Sequence, residues 1–276
     1  MMLNNDFLNM TYNEICRFIL SIENTENVYN RSDKAIILNM LLQDNRKTVK
    51  KLGSKMCRML ELKEKEIQRV KKMYEFDKNY GNYKYVAGVD EVGRGPLAGP
   101  IVAAAVILDL KCKDNKDLIL RANDSKKLSI VCRKELSYII KEKALAYKIT
   151  AIDNKQIDEK GIGWCNNQVF LESCNGLTIK PDLVLTDGYR IKNFSSKNEF
   201  VIKGDTLSIS IACASIIAKV YRDELMLKYH SRYPDYGFDK NVGYGTEEHV
   251  TAIKKYGITD IHRKSFLKKI LNGNNN

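Results

Sequence analysis

The chain has 276 residues, 44% of them hydrophobic, with Lys+Arg 46 against Asp+Glu 34 and a formal net charge of +12. That length and apolar content allow a packed core and exclude wholesale disorder, and the positive balance points to an anionic partner, nucleic acid first among them. Seven irregularly spaced cysteines with no C-x-x-C pair, and only three histidines, exclude a disulfide framework and a Cys/His zinc site.

The opening segment, MMLNNDFLNMTYNE, lacks the basic start and apolar core of a secretory signal. No apolar run approaches the roughly 20 residues a membrane span needs. The expectation is a soluble, cytoplasmic protein.

Residues 1–80 contain no proline and read as helical. Between Arg46 and Lys72 stand eleven Lys/Arg against three Glu, and Val49, Leu52, Met56, Leu60, Ile67, Val70 and Tyr74 recur at the steps of one helix face. The basic side of that helix is either simply solvated or tracks a phosphate backbone. NYGNYK (79–84) reads as a linker into a second domain, 81–276.

From Tyr83 onward strands alternate with helices. Strands are expected at 84–90, 100–108, 146–153, 182–188 and 199–205, the second too apolar for an exposed edge. Helices are expected at 132–144, 162–176, 207–232 and 246–256. The pattern predicts an α/β domain with a mixed central sheet flanked by helices. The tail NGNNN is expected to fray.

Three of the expected strand ends carry carboxylates: Asp90 with Glu91, Asp187, and Asp205, each within three residues of a glycine. Such ends are where α/β sheets gather ligand and catalytic groups. Two carboxylates about 4 Å apart repel by roughly 4 kcal/mol at an effective dielectric near 20, so their convergence calls for a counterion. Without Cys or His nearby, an oxygen-only site suits Mg²⁺ or Mn²⁺. Taken singly, each aspartate beside glycine is equally an ordinary turn residue. Asp90 and Glu91 point to opposite faces of an extended strand, so joint ligation requires a break between or just after them, for which Gly93 and Gly95 are suited.

Five ordered motifs, GVDEVGRGPLAGPIVAAAVIL (88–108), NDSKKLS (123–129), LTDGYR (185–190), KGDTLSISIACASIIAKVYRDELM (203–226) and YGTEEH (244–249), resemble the bacterial ribonuclease HII family. The resemblance spans nearly all of residues 84–266 and extends, more weakly, to the N-terminal segment. It implies a ribonuclease H-like fold. It also implies metal-dependent hydrolysis of the RNA strand in RNA–DNA hybrids, with incision 5′ of a ribonucleotide embedded in duplex DNA, leaving 3′-hydroxyl and 5′-phosphate ends. By motif, the metal ligands would be Asp90, Glu91, Asp187 and Asp205. Gly93, Arg94 and Gly95 would read the 2′-hydroxyl, the group that separates RNA from DNA. Tyr244 would stack on the following deoxyribose, and Asn123, Ser125 and Lys126 would hold phosphates.

Ala212, Ala214, Ser215 and Ala218 suit a helix packed tightly on the sheet, with Lys219 a further candidate phosphate contact. His249 and His262 fit packing or capping better than proton transfer. Where relatives carry histidine and lysine before the glycine–tyrosine pair, Asn241 and Val242 stand here, which removes a phosphate contact. The expected partners are RNA–DNA hybrid and ribonucleotide-containing DNA; no obligate protein partner is evident and a monomer is expected. The competing readings are a junction-indifferent hybrid ribonuclease of the HIII type and a non-catalytic nucleic-acid-binding protein.

Overall fold

A computed structural model describes residues 10–24, 31–112 and 114–271. The expected C-terminal fraying and most of the opening segment lie outside these residues. The chain divides into two compact units, Met1–Gln68 and Arg69–Asn276.

In the first unit, helices α1 (Tyr12–Asn24) and α2 (Arg31–Gln43) pack on the first part of α3 (Lys47–Lys78). Ile15, Ile19, Ile37 and Leu41 meet Val49 and Met56 in its core, the face the sequence periodicity marks. Gly53 allows this approach: a Cβ there would lie 2.8 Å from the Leu41 Cβ.

The second unit is built on a five-stranded sheet of order β3-β2-β1-β4-β5. Its strands are β1 (Val86–Val92), β2 (Ile101–Ile107), β3 (Ala146–Ile152), β4 (Leu183–Asp187) and β5 (Lys197–Val201). The β1–β2 and β2–β3 pairs are antiparallel and the β1–β4 and β4–β5 pairs parallel, so the sheet is mixed as expected. β2 is interior and buried along its whole length.

The longer helices are α4 (Ile130–Lys143), α6 (Ile162–Asn175), α8 (Ile209–Arg232) and α10 (Glu247–Tyr256), close to the expected spans. Shorter ones, which the sequence did not mark, are α5 (Asn154–Lys160), α7 (Gly204–Leu207), α9 (Phe238–Asn241) and α11 (Lys264–Leu271). Side-chain caps start four of them: Ser129 for α4, Asp153 for α5, Ser208 for α8 and Thr246 for α10.

α6 covers one sheet face, where Val169 and Phe170 meet Ala87, Val89, Ala103 and Ala105. α8 covers the other so closely that a Cβ on Gly88 would lie 2.0 Å from the Ser210 carbonyl carbon. The small residues of α8, Ala212, Ala214, Ser215 and Ala218, are all buried, as the sequence pattern requires.

The end of α3 belongs to this second unit. Val70, Met73 and Tyr74 are buried, and Asp77 Oδ2 accepts the Ser210 amide at 2.9 Å near the start of α8. Asp77 thereby satisfies an amide that the α8 helix itself leaves without a partner. Its other carboxylate oxygen is buried without a hydrogen-bond partner, and burial pushes its pKa up to about 6.

Candidate active site

β1 and β4 run parallel with Val89 opposite Thr186, so Asp90 and Asp187 follow side by side on adjacent strands. Strand alternation turns Asp90, like Gly88, toward α8, and Glu91 toward the other face. Pairing with β2 continues unbroken through Glu91↔Ala103 and Val92↔Val102. The expected strand break therefore comes one residue later, at Gly93, which has φ +90.

Asp205 corrects an expectation. It does not end a strand: β5 stops at Val201, opposite Asp187, and Asp205 lies in the first turn of α7. The cause is Lys203, whose left-handed backbone (φ +56) turns the chain out of the sheet. The Gly204 amide then donates to Asp187 Oδ1 at 2.8 Å, tying that turn to the end of β4.

Asp187 is the common neighbour of the set. Burial first, then the charge of Glu91, and after it that of Asp187, raise the Asp90 pKa well above the usual range, against a hydrogen bond from Ser215. Burial pushes Glu91 up to about 7; Arg94 pulls it back and Asp187 adds to it. Burial and then Asp187 raise Asp205, against Lys126 and Lys127. Glu91 Oε2 is buried with no hydrogen-bond partner, although a buried carboxylate oxygen ordinarily has one.

This donor set is hard and oxygen-only, and in its orphaned Glu91 oxygen and its mutual repulsion it suits a divalent cation. Among the described residues, no three His, Cys, Asp or Glu side chains stand as a ready-made cage.

The glycine loop after β1 is fastened from beneath by two fully buried arginines. Arg263 donates from Nε to Gly99 O (2.9 Å), from Nη1 to Arg94 O (3.1 Å) and from Nη2 to Gly93 O (2.6 Å). Arg222 donates from Nε to Pro100 O (3.0 Å), from Nη1 to Val242 O (2.9 Å) and from Nη2 to Ala98 O (3.2 Å). Burial lowers their pKa values to about 9 and about 10, so both remain charged at neutral pH. Gly93 is glycine for a steric reason: a Cβ would lie 2.2 Å from Arg222 Nε.

The same scaffold brings Tyr244 to the loop. A Cβ on Gly95 would lie 3.9 Å from the Tyr244 ring, which is 41% exposed. The Leu97 amide donates to Gly243 O at 2.8 Å. Arg94 lies over the Tyr189 ring (4.8 Å to its centroid) and donates to the Tyr189 hydroxyl.

His249 and His262 are buried behind Tyr244, with their Nε2 atoms 3.1 Å apart. The Thr259 amide donates to His262 Nδ1 at 2.9 Å, so His262 carries its proton on Nε2 and donates to His249. His249 then donates from Nδ1 to Tyr244 O at 2.9 Å. The pair is packing and bracing, in line with the sequence reading.

Of the expected phosphate contacts, Lys126 is exposed and its charge acts on both Glu91 and Asp205. Asn123 is half-buried and accepts the Asp124 amide. Ser125 differs from expectation. It is buried, its Oγ 3.0 Å from Ser215 Oγ, so it stands behind Asp90 and its hydroxyl does not face solvent. Lys219 is held by Asp223 at 2.7 Å. Asn241 is structural, donating to Tyr236 O and accepting the Gly243 amide.

Sequence reasoning missed Arg263, Tyr189 and Asp124, which caps the Ser125–Lys127 turn through the Lys126 amide. Asp124 and Tyr189 carried a local signal, since they lie inside the NDSKKLS and LTDGYR motifs; Arg263 carried none.

A family model described as ribonuclease HII matches residues 87–269, and one described as the ribonuclease HII N-terminal domain matches residues 23–81. Ribonuclease HII of Clostridium perfringens is 63% identical over 245 residues, covering 88% of this chain and 89% of that protein. That of Clostridium beijerinckii is 57% identical over 268 residues, 97% of this chain and 98% of the relative. Among solved structures, ribonuclease H2 from Pyrococcus horikoshii OT3 matches with a TM-score of 0.58 at 28% identity, covering 67% of this chain and 96% of that one.

Proposed function

Since the chain belongs to the ribonuclease HII family, an enzyme family of metal-dependent endoribonucleases, we propose that it incises duplex DNA on the 5′ side of an embedded ribonucleotide. The same site hydrolyses the RNA strand of RNA–DNA hybrids, leaving 3′-hydroxyl and 5′-phosphate ends. The observation that carries this reading is the pairing of β1 with β4, which sets Asp90 and Asp187 on neighbouring strand ends, together with the Gly204 amide beside Asp205 that donates to Asp187: four acids from three segments share one electrostatic neighbourhood.

Asp90, Glu91, Asp187 and Asp205 are the proposed ligands of Mg²⁺ or Mn²⁺. Ions held there would supply activation of a water and stabilisation of the departing 3′ oxygen. Ser215 and the Gly204 amide orient Asp90 and Asp187 through hydrogen bonds. Arg94 and Lys126 offset the acids' charge from the open side, where a phosphodiester would approach.

Ribonucleotide selection is assigned to Gly93, Arg94 and Gly95. At Arg94 and Gly95 the loop is exposed, and the glycine at 95 leaves bare backbone for a 2′-hydroxyl. Tyr244, beside Gly95, offers its ring face to the adjoining sugar. Asn123, Lys126 and Lys219 remain the candidates for phosphate contacts.

Cleavage-site mapping on a DNA duplex with one ribonucleotide, with and without Mg²⁺ or Mn²⁺, tests the reading. Metal-dependent incision at the 5′ side of that nucleotide is expected. Cuts indifferent to its position, or inertness with both ions, would overturn it.

A further inference from the structure

Residues 1–68 carry eleven Lys and Arg against nine Asp and Glu, so this segment is nearly balanced in sign. Its charges are not evenly spread. From Asn45 to Leu60 there are six basic residues and no acidic one. Arg46 is committed to Asp44, with Nη2 2.6 Å from Oδ2 and Nε 2.9 Å from Oδ1. The remaining five, Lys47, Lys50, Lys51, Lys55 and Arg58, are all exposed on α3. None of the five has an ion-pair partner among the described residues.

At α-helical spacing the five fall within an arc of about 140°, opposite Val49 and Met56. They occupy about 16 Å of helix, at 1.5 Å per residue. One nucleic-acid strand presents a phosphate about every 3.4 Å of duplex axis, so the two charge densities match. Glu61, the next acid along the helix, is engaged by the Cys57 thiol at 3.5 Å.

We propose that this face of α3 is a second nucleic-acid contact, which grips the phosphate backbone of a duplex without reading base or sugar. This deepens the functional reading above and rests on it for the class of partner only. Two features select a duplex over other polyanions. From Lys47 to Arg58 there is no aromatic residue, so the face offers no platform on which single-stranded bases could stack. The apolar side of the helix is buried against Ile15, Ile37 and Leu41. A helix that lies on a lipid surface must keep that side free to insert.

The test uses the full chain with all five residues changed to Gln, and a charge-matched control with Lys155, Lys180, Lys228, Lys254 and Lys255 changed to Gln. Binding to an all-DNA duplex is measured without divalent cation from 50 to 200 mM salt. Each phosphate contact removed takes about 0.9 from the slope of log K against log salt. The α3 variant is expected to lose about 3 to 4 from that slope and the control less than about 1. Equal losses in both, or an unchanged slope in the α3 variant, would overturn the proposal. So would binding to phosphatidylserine vesicles that the α3 changes abolish while duplex affinity stays put. Because no cleavage is involved, failure of the nuclease reading and failure of this one remain separate results.

Discussion

The Nη2 atom of Arg263 sits 2.6 Å from the carbonyl oxygen of Gly93, with the whole side chain buried and no carboxylate paired to it among the described residues. A buried cation normally has an anion beside it. Here the guanidinium fork is satisfied by three carbonyls of the loop proposed to select ribonucleotides.

Arg263→Lys keeps the charge and loses the fork, since one ammonium cannot reproduce three fixed donors. Carbonyls left unpaired cost about 1–3 kcal/mol each. A fall in Tm is expected, together with a fall of about tenfold or more in kcat/KM on the single-ribonucleotide duplex, assayed well below that Tm. Unchanged values of both would show that something else holds the loop.

Asp90→Asn removes a buried carboxylate that Glu91 and Asp187 both repel. Loss of cleavage is expected. In metal-free buffer the variant is expected to gain on the order of 1 kcal/mol, about 2–4 °C in Tm for a chain of this size. Added Mn²⁺ is expected to raise the Tm of the parent protein more than that of the variant. Residual cutting at a comparable rate would remove Asp90 from the mechanism.

Asp77 gives a pH signature away from the site. Its folded pKa is raised from 3.8 to about 6. Between those values the folded state therefore holds more protons than the unfolded chain, and stability falls as pH rises. Asp77→Asn removes this penalty while an amide oxygen still accepts from Ser210. The variant's advantage is expected to be small at pH 4, to grow to pH 6 and to level off above it, at a ceiling of roughly 3 kcal/mol. Denaturation curves across that range measure it; a difference independent of pH would rule the titration out.

Two glycines make opposite predictions under the same change. A Cβ on Gly88 would meet the Ser210 backbone at 2.0 Å, whereas one on Gly163, inside α6, meets nothing within 4 Å. Gly88→Ala is expected to cost about 3 kcal/mol or more, because the helix must move off the sheet. Gly163→Ala is expected to stabilise by about 0.5–1 kcal/mol. Thermal melts of the two variants decide both.

The legible parts of the fold were those in which side-chain type and burial go together. β2 announced itself by continuous apolarity, α8 by its small residues and α3 by apolar steps of three and four. Asp205 was misplaced because Phe200, Val201 and Ile202 form an apolar, largely β-branched run that reads as strand up to the turn, while the turn is made by Lys203, a residue type that gives no sign of a left-handed backbone. The four-residue helices α7 and α9 are too short to carry a period. Arg222 and Arg263 were missed as supports because charge in a sequence reads as surface, and nothing local reveals that backbone carbonyls await it in the interior.

The burial of Val70, Met73, Tyr74 and Asp77 sets where the chain tolerates shortening. Composition changes near residue 80, yet a protein started there would strip Phe76 from the strand residues Val86, Leu183 and Leu185 and free the first turn of α8. Started at residue 69, it would keep its own short stretch of helix as a lining. The economical cut for anyone wanting a minimal nuclease thus falls inside an unbroken helix, where no linker advertises it.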